Sequence, residues 1–273
     1  MTTPLLKWSG LSDRGKVRAN NEDAFLGLRF DGQEAHFLGK AGEAAGDGYD
    51  YVFAVSDGLG GQRAGEFASR IAVDKITHLL PRSFRHAATG LDPGFADVLA
   101  ELFDQIHRAL TFVGQSYEEC AGMQATLSLA WFTPGAMHYG HIGDSRIYYL
   151  PAGGEGIRQL SHDDTHVGWL FRNGQLNERE AREHPQRSAL QKALGAGHQF
   201  AVPQVGTVAT GPGDRFLLCS DGVNDGLYDA RIAELLRAPA PAEAALDPAR
   251  RLVMAAVEAS GRDNTTAVVV EVG

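Results

Sequence analysis

The chain has 273 residues, enough for one large domain or two small ones and for a hydrophobic core that needs no disulfide or metal staple. With 25 Lys and Arg against 34 Asp and Glu its formal charge is −9 at pH 7, a field that repels polyanions and excludes generic nucleic-acid binding. Cys120 and Cys219 are its only cysteines and form no Cys-x-x-Cys pair, which excludes a disulfide framework and zinc–thiolate chemistry and fits a reducing compartment.

The opening segment MTTPLLKWSGLSDRG lacks the basic and apolar regions of an export signal, and no run approaches about 18 apolar residues. The expectation is a soluble, cytoplasmic protein without membrane contact. The first apolar, strand-length run is Ala24–Phe30. Asp31–Asp50, rich in Gly and Ala and without periodicity, reads as a loop insertion before the strand Tyr51–Val55. Phe67, Ile71, Ile76, Leu79 and Leu80 recur at helical spacing and predict a helix over Ala64–Leu80; Val98, Leu102, Ile106 and Leu110 predict another over Phe95–Phe112. Strands follow at Thr126–Phe132, Met137–Ile142 and Arg146–Leu150. The densely charged Ser161–Gly197 carries two short predicted helices, Val167–Asn173 and Asn177–His184, the second opened by an Asn cap with Glu180 three residues on. It reads as a subdomain set into the sheets. The last strands are Arg215–Cys219 and Thr265–Val272; between them lie a Pro/Ala connector, Arg237–Asp247, and a helix, Pro248–Ala259. Strands outnumber helices and do not alternate with them, the pattern of helices outside a largely antiparallel sheet system in a single domain.

Two strands run into the same tripeptide, Ser56-Asp57-Gly58 and Ser220-Asp221-Gly222. An Asp-Gly pair on its own suits a hairpin turn. Three more acidic strand ends weaken that reading: Asp144 between two strands, Asp263 with Asn264 before the last strand, and the pair Glu22 and Asp23 before the first. Gathered at one rim, these carboxylates would repel one another unless cations neutralise them. An all-oxygen set without His spacing suits Mg²⁺ or Mn²⁺ and not zinc, and the Gly58 carbonyl is available as a further ligand. Two such ions about 3.5–4 Å apart acidify a water for attack on a phosphate ester. Arg18, four residues before Glu22, adds a planar fork of donors that matches phosphate.

Taken in order, Arg18–Asp23 (RANNED), Val55–Gly61 (VSDGLGG), Ile142–Arg146 (IGDSR), Cys219–Val223 (CSDGV) and Gly261–Thr265 (GRDNT) resemble the signature of the metal-dependent PPM family, the type 2C serine/threonine protein phosphatases, in its bacterial branch. The resemblance implies an α/β (α+β) four-layer αββα sandwich with two central antiparallel sheets flanked by helices, a flap subdomain at about 161–197, and two Mn²⁺ or Mg²⁺ ions with a possible third. It implies direct attack of metal-bound hydroxide on phosphorus of phosphoserine or phosphothreonine, with phosphorylated proteins as partners and a bacterial Ser/Thr kinase as the opposing enzyme.

Position by position, Asp57 resembles the bridging carboxylate and Gly58 the carbonyl ligand of the second ion. Asp221 and Asp263 look like ligands of the first ion, Glu22 like a second-ion ligand acting through water, and Asp144 like the acid of a third. Arg18 matches the phosphate clamp, with Asp23 and Asn264 in support. Leu59 stands where animal members have the His proposed to protonate the leaving alkoxide. Gln62 and Gln124-Ala125-Thr126 stand where bacterial members often have His and Gly-Thr-Thr.

The rival readings are a non-catalytic relative that binds phosphoproteins and a phosphatase dedicated to one partner-switching regulator. A relative that only binds would be expected to have lost ligand acids. His162, Asp163, Asp164 and His166 read as a solvated flap entrance and not a separate metal site. Trp131, Phe132, Tyr148 and Tyr149 read as sheet packing, Trp169 and Phe171 as a small satellite core, and Glu178–Glu183 as a solvated helix face.

Overall fold

The apolar runs pair into two antiparallel sheets stacked face to face. The structure, a computed structural model, describes residues 5–31, 34–45, 48–60, 64–88, 94–154, 156–197 and 201–273, with 81–88 as backbone; Gln62 lies outside the described residues. In chain order the first elements are β1 (Leu5–Asp13), β2 (Asp23–Phe30), β3 (Ala35–Phe37), β4 (Ala41–Ala45), β5 (Asp50–Leu59), α1 (Ala64–Ala88) and α2 (Phe95–Ser116). The middle of the chain forms β6 (Gln124–Ala125), β7 (Leu127–Thr133), β8 (Ala136–Ile142), β9 (Arg146–Leu150), β10 (Arg158–Gln159), α3 (His166–Arg172) and α4 (Glu178–Glu183). The remainder is β11 (Gln204–Ala209), β12 (Arg215–Cys219), α5 (Asp221–Gly226), α6 (Asp229–Arg237), α7 (Pro241–Ala244), α8 (Pro248–Ala259) and β13 (Thr265–Val272).

One sheet has the order β10-β9-β12-β13-β1-β4; the other runs β11-β8-β7-β5-β2-β3, with β6 paired to β5. Strand β5 shows why its sequence is continuously apolar. Tyr51, Phe53 and Val55 point between the sheets, where they join Phe132, Phe216 and Val270, while Val52 and Ala54 point to the outer face and pack with Ile76, Leu102 and Ile106 of α1 and α2. Across the other sheet, Leu217 and Val269 pack outward on Leu235 of α6 and Leu252 and Val253 of α8. Helices, two sheets and helices thus form four layers, as expected. Both cysteines are free and buried. Among the described residues, no helix is long and apolar enough to cross a membrane.

Several local expectations are corrected. Asp31–Asp50 is not only a loop: it contains β3, paired with β2, and β4, paired with β1. The connector Arg237–Asp247 contains α7, a four-residue turn with Pro241 at its first position, where proline's missing N–H costs nothing. Neither Ser-Asp-Gly forms a hairpin turn, because β5 continues through Leu59 and the second copy opens α5. Their glycines serve close approach instead: a Cβ on Gly58 would collide with the Gly65 carbonyl, and one on Gly222 with the Asn264 carbonyl. The capping box of Asn177 and Glu180 forms as read, but α4 is solvated on one face only: Arg179 pairs with Glu183 at 3.0 Å in solvent, while Glu178 accepts the Asp229 N–H and Arg182 donates to the Asp225 carbonyl. Trp169 is not core; it is 45% exposed beside His166.

Candidate active site

Strand pairing brings the acids together from both sheets. In the β2–β5 register Asp23 lies directly opposite Asp57. The Asp57 N–H donates to Thr126 Oγ1 at 2.9 Å, and the Gly58 N–H donates to the Glu22 carbonyl at 3.1 Å. A Cβ built at Gly65 would lie 2.8 Å from the Gly58 carbonyl oxygen and 2.9 Å from Glu22 Oε1, so these two oxygens share one small space that only glycine leaves open.

From the other sheet, β12 delivers Asp221 to the first residue of α5, and the turn before β13 delivers Asp263, whose Oδ1 accepts the Asn264 N–H at 2.8 Å. Asn264 laces the two termini together. Its Oδ1 accepts the Glu22 N–H at 2.8 Å, and its Nδ2 donates to the carbonyls of Arg14 and Asn20, both at 2.9 Å. Asp144 sits where the chain crosses from β8 in one sheet to β9 in the other.

The charges are strongly coupled. Burial, followed by Asp23, Asp221, Asp144 and Asp263, holds the Asp57 carboxyl well above the usual carboxylate range. Burial and the acids Asp144, Asp225 and Asp263 do the same to Asp221. Asp144 is pushed up to about 7 by burial and Asp163, and Asp23 to about 6 by burial, against the hydrogen bond from Ser220. Burial also raises Glu22. The Oδ1 atoms of Asp23 and Asp221 are buried without a hydrogen-bond partner. Arg18 Nη2 donates to Asp263 Oδ2 at 2.6 Å, and that bond raises the guanidinium pKa further. The structure therefore brings Arg18, Glu22, Asp23, Asp57, Gly58, Asp144, Asp221, Asp263 and Asn264 to one rim. Their side chains are not closed on a common point: among the described residues no group of three or more His, Cys, Asp or Glu side chains is arranged to hold an ion.

Beside this rim lies a narrow cleft of about 60 Å³, open to solvent, lined by Asp144 and Asp221 together with Val167, Phe171, Arg182 and Leu227. Its far side is the segment Ser161–Gly197, rooted by contacts that correct the expectation of a solvated entrance. Arg146 donates in a fork to Asp163, Nε to Oδ1 at 2.9 Å and Nη2 to Oδ2 at 2.7 Å, with the guanidinium and carboxylate largely enclosed. Asp164 Oδ2 accepts the Gly143 N–H at 3.0 Å, next to Asp144. Sequence reasoning missed these partners, as well as Thr126 and Ser220, because nothing local pairs residues 17 or more positions apart. The Ser preceding each Asp-Gly was the one available hint.

The protein phosphatase 2C family model matches residues 41–257. The serine/threonine protein phosphatase PstP of Mycobacterium tuberculosis is 35% identical over 99% of this chain, which spans about half that relative's length (46%). Protein phosphatase PhpP of Streptococcus pneumoniae is 31% identical over 95% of both chains. Among solved structures, the catalytic domain of PstP in complex with two manganese ions superposes with a TM-score of 0.74 at 32% identity, covering 99% of each chain. The S. agalactiae serine/threonine phosphatase gives a TM-score of 0.78 at 25% identity, covering 98% of this chain and all of that one. The motifs, the paired sheets and these likenesses agree: the chain belongs to the protein phosphatase 2C family, the metal-dependent PPM phosphatases, among bacterial relatives.

Proposed function

We propose that this chain removes phosphate from phosphoserine and phosphothreonine of cytoplasmic proteins, opposing a Ser/Thr kinase, with two Mn²⁺ or Mg²⁺ ions at the rim and a third near Asp144. The observation that carries the reading is the gathering of Asp23, Asp57, Asp144 and Asp221 from both sheets with every carboxyl pKa raised. Such a cluster is unfavourable unless hard cations balance it. The fit is further supported by the partnerless Oδ1 atoms of Asp23 and Asp221, by the shared space of Gly58 O and Glu22, and by the manganese-bearing PstP relative.

Asp57 would bridge the ions, Asp221 and Asp263 would complete the first, and Glu22 and the Gly58 carbonyl would complete the second. When bound, the ions supply Lewis acidity toward phosphoryl oxygens and a water of lowered pKa as the nucleophile. Arg18 binds the phosphoryl oxygens with the guanidinium whose Nη2 now donates to Asp263, and Asn264 holds the Glu22 loop against Asp263. Residues 161–197 act as a flap walling the cleft that receives the phosphoprotein, within one catalytic domain.

Chelation with EDTA is expected to abolish hydrolysis of a phosphothreonine peptide, with Mn²⁺ restoring it; full turnover in the chelator overturns the reading. Arg18→Ala is expected to raise KM about tenfold, with Mn²⁺ affinity by calorimetry no weaker than in the unaltered protein. An unchanged KM would remove Arg18 from phosphate binding.

A further inference from the structure

Three hydroxyl side chains beside the acids are themselves fully buried and have no part in the proposed chemistry: Thr126, Ser145 and Ser220. Ser145 follows Asp144 directly and enters β9 of one sheet; its Oγ lies 2.7 Å from Thr126 Oγ1, which precedes β7 of the other. The same Thr126 oxygen accepts the Asp57 N–H at 2.9 Å, while the Thr126 N–H donates to the Asp57 carbonyl at 2.8 Å. Ser220 precedes Asp221 directly and follows β12. Its Oγ donates to Asp23 Oδ2 at 2.7 Å and accepts the Thr266 N–H at 2.9 Å. Asp23 is the cross-strand partner of Asp57.

Both chains of contact therefore cross from one sheet to the other and end at Asp57. One runs Asp144–Ser145–Thr126–Asp57 and the other Asp221–Ser220–Asp23–Asp57. Away from the rim the facing side chains are mostly apolar, with Tyr51 Oη donating to the Ala45 carbonyl at 3.0 Å and Tyr139 Oη to the Leu160 carbonyl at 3.3 Å as further links; apolar contacts resist separation but do not fix a lateral offset to a few tenths of an ångström. A hydrogen bond of 2.7 Å does fix one.

We infer that Ser220 and the Thr126–Ser145 pair are positioning residues that stitch the two sheets at the rim and so set the spacing of Asp144 and Asp221 from Asp57. The inference rests on the proposed two-ion reading. Its content is that these hydroxyls govern ion affinity without touching an ion, as outer partners of metal ligands do.

The test compares Mn²⁺ binding by calorimetry, and the electron paramagnetic resonance spectrum of the Mn²⁺-loaded protein, in the unaltered chain, Ser220→Ala, Thr126→Val and Thr126→Ser. Ser220→Ala and Thr126→Val are each expected to weaken Mn²⁺ binding by about tenfold or more and to alter the spin coupling between the ions, while Thr126→Ser, which keeps the hydroxyl, retains both. A hydroxyl with only a structural role would lower the melting temperature of the chelated variants and leave affinity and spectrum unchanged; that result overturns the inference. Should the unaltered chain bind no Mn²⁺, the two-ion reading itself falls, and the stitches with it.

Discussion

Asp57→Asn is expected to reduce phosphopeptide hydrolysis at least about a thousandfold, equivalent to about 4 kcal/mol of barrier, and at the same time to raise the melting temperature of the chelated protein. The two effects have one cause. Asp57 is the acid on which the others converge: Asp23 faces it across the β2–β5 pair, and Asp221, Asp144 and Asp263 all act on its charge. Asparagine keeps the shape and the backbone contacts to Thr126 but removes the negative charge proposed above to bridge the cations. Without cations, that same charge is a buried like-charge contact, so its loss relieves the fold. For a domain of this size each kcal/mol relieved appears as about 2–4 °C. Thermal melts with EDTA and with Mn²⁺ separate the two effects. A variant that melts lower than the unaltered chain in EDTA, or that turns over normally in Mn²⁺, contradicts the role given to Asp57.

The second large effect is on pH. The folded chain holds Asp23 at about 6 and Asp144 at about 7, against about 4 for an exposed aspartate. Between these values the folded state binds protons that the unfolded state has released, so stability falls as pH rises. The contribution of these groups is complete below about pH 4 and is lost as pH climbs through 6 and then 7. Chelated protein is therefore expected to melt several degrees higher at pH 5 than at pH 8, and saturating Mg²⁺ is expected to flatten that slope, since cations and protons compete for the same oxygens. A chelated protein whose melting temperature does not change, or rises, from pH 5 to pH 8 would show that burial does not hold these two carboxyls above their ordinary range.

Much of this was legible in the order of residues, for reasons that can be located. Strands buried on both faces, such as β5 and β13, carry an uninterrupted apolar record of that burial, and helices packed on a sheet, such as α2, carry its 3.6-residue period. Elements that exist only through their neighbours left no such record. β4 reads AGEAA, without a single β-branched residue, and is a strand because β1 offers it an edge. α5 reads DGVNDG, poor helix material throughout, and is held by the floor of β13 and α8 beneath it. The acids of the site were visible because each lies within a few residues of the end of an apolar run. Their supports were not, since Thr126, Ser220 and Asp163 meet their partners only when the sheets stack or the segment after β10 folds back on β9.

The enclosed fork between Arg146 and Asp163 ties the start of the 161–197 segment to the rim. With Asp163 gripped by two parallel hydrogen bonds and Asp164 held to Gly143, the start of the segment is fixed to the same crossing that carries Asp144. Farther along the segment, Arg182 and Arg187 donate to the carbonyl and carboxylate of Asp225 in α5, the helix that Asp221 opens. The segment that walls the cleft is thus clamped at two places to the elements carrying Asp144 and Asp221, so a substitution in α4 that breaks the Arg182 contact is expected to register at the rim as well as at the entrance.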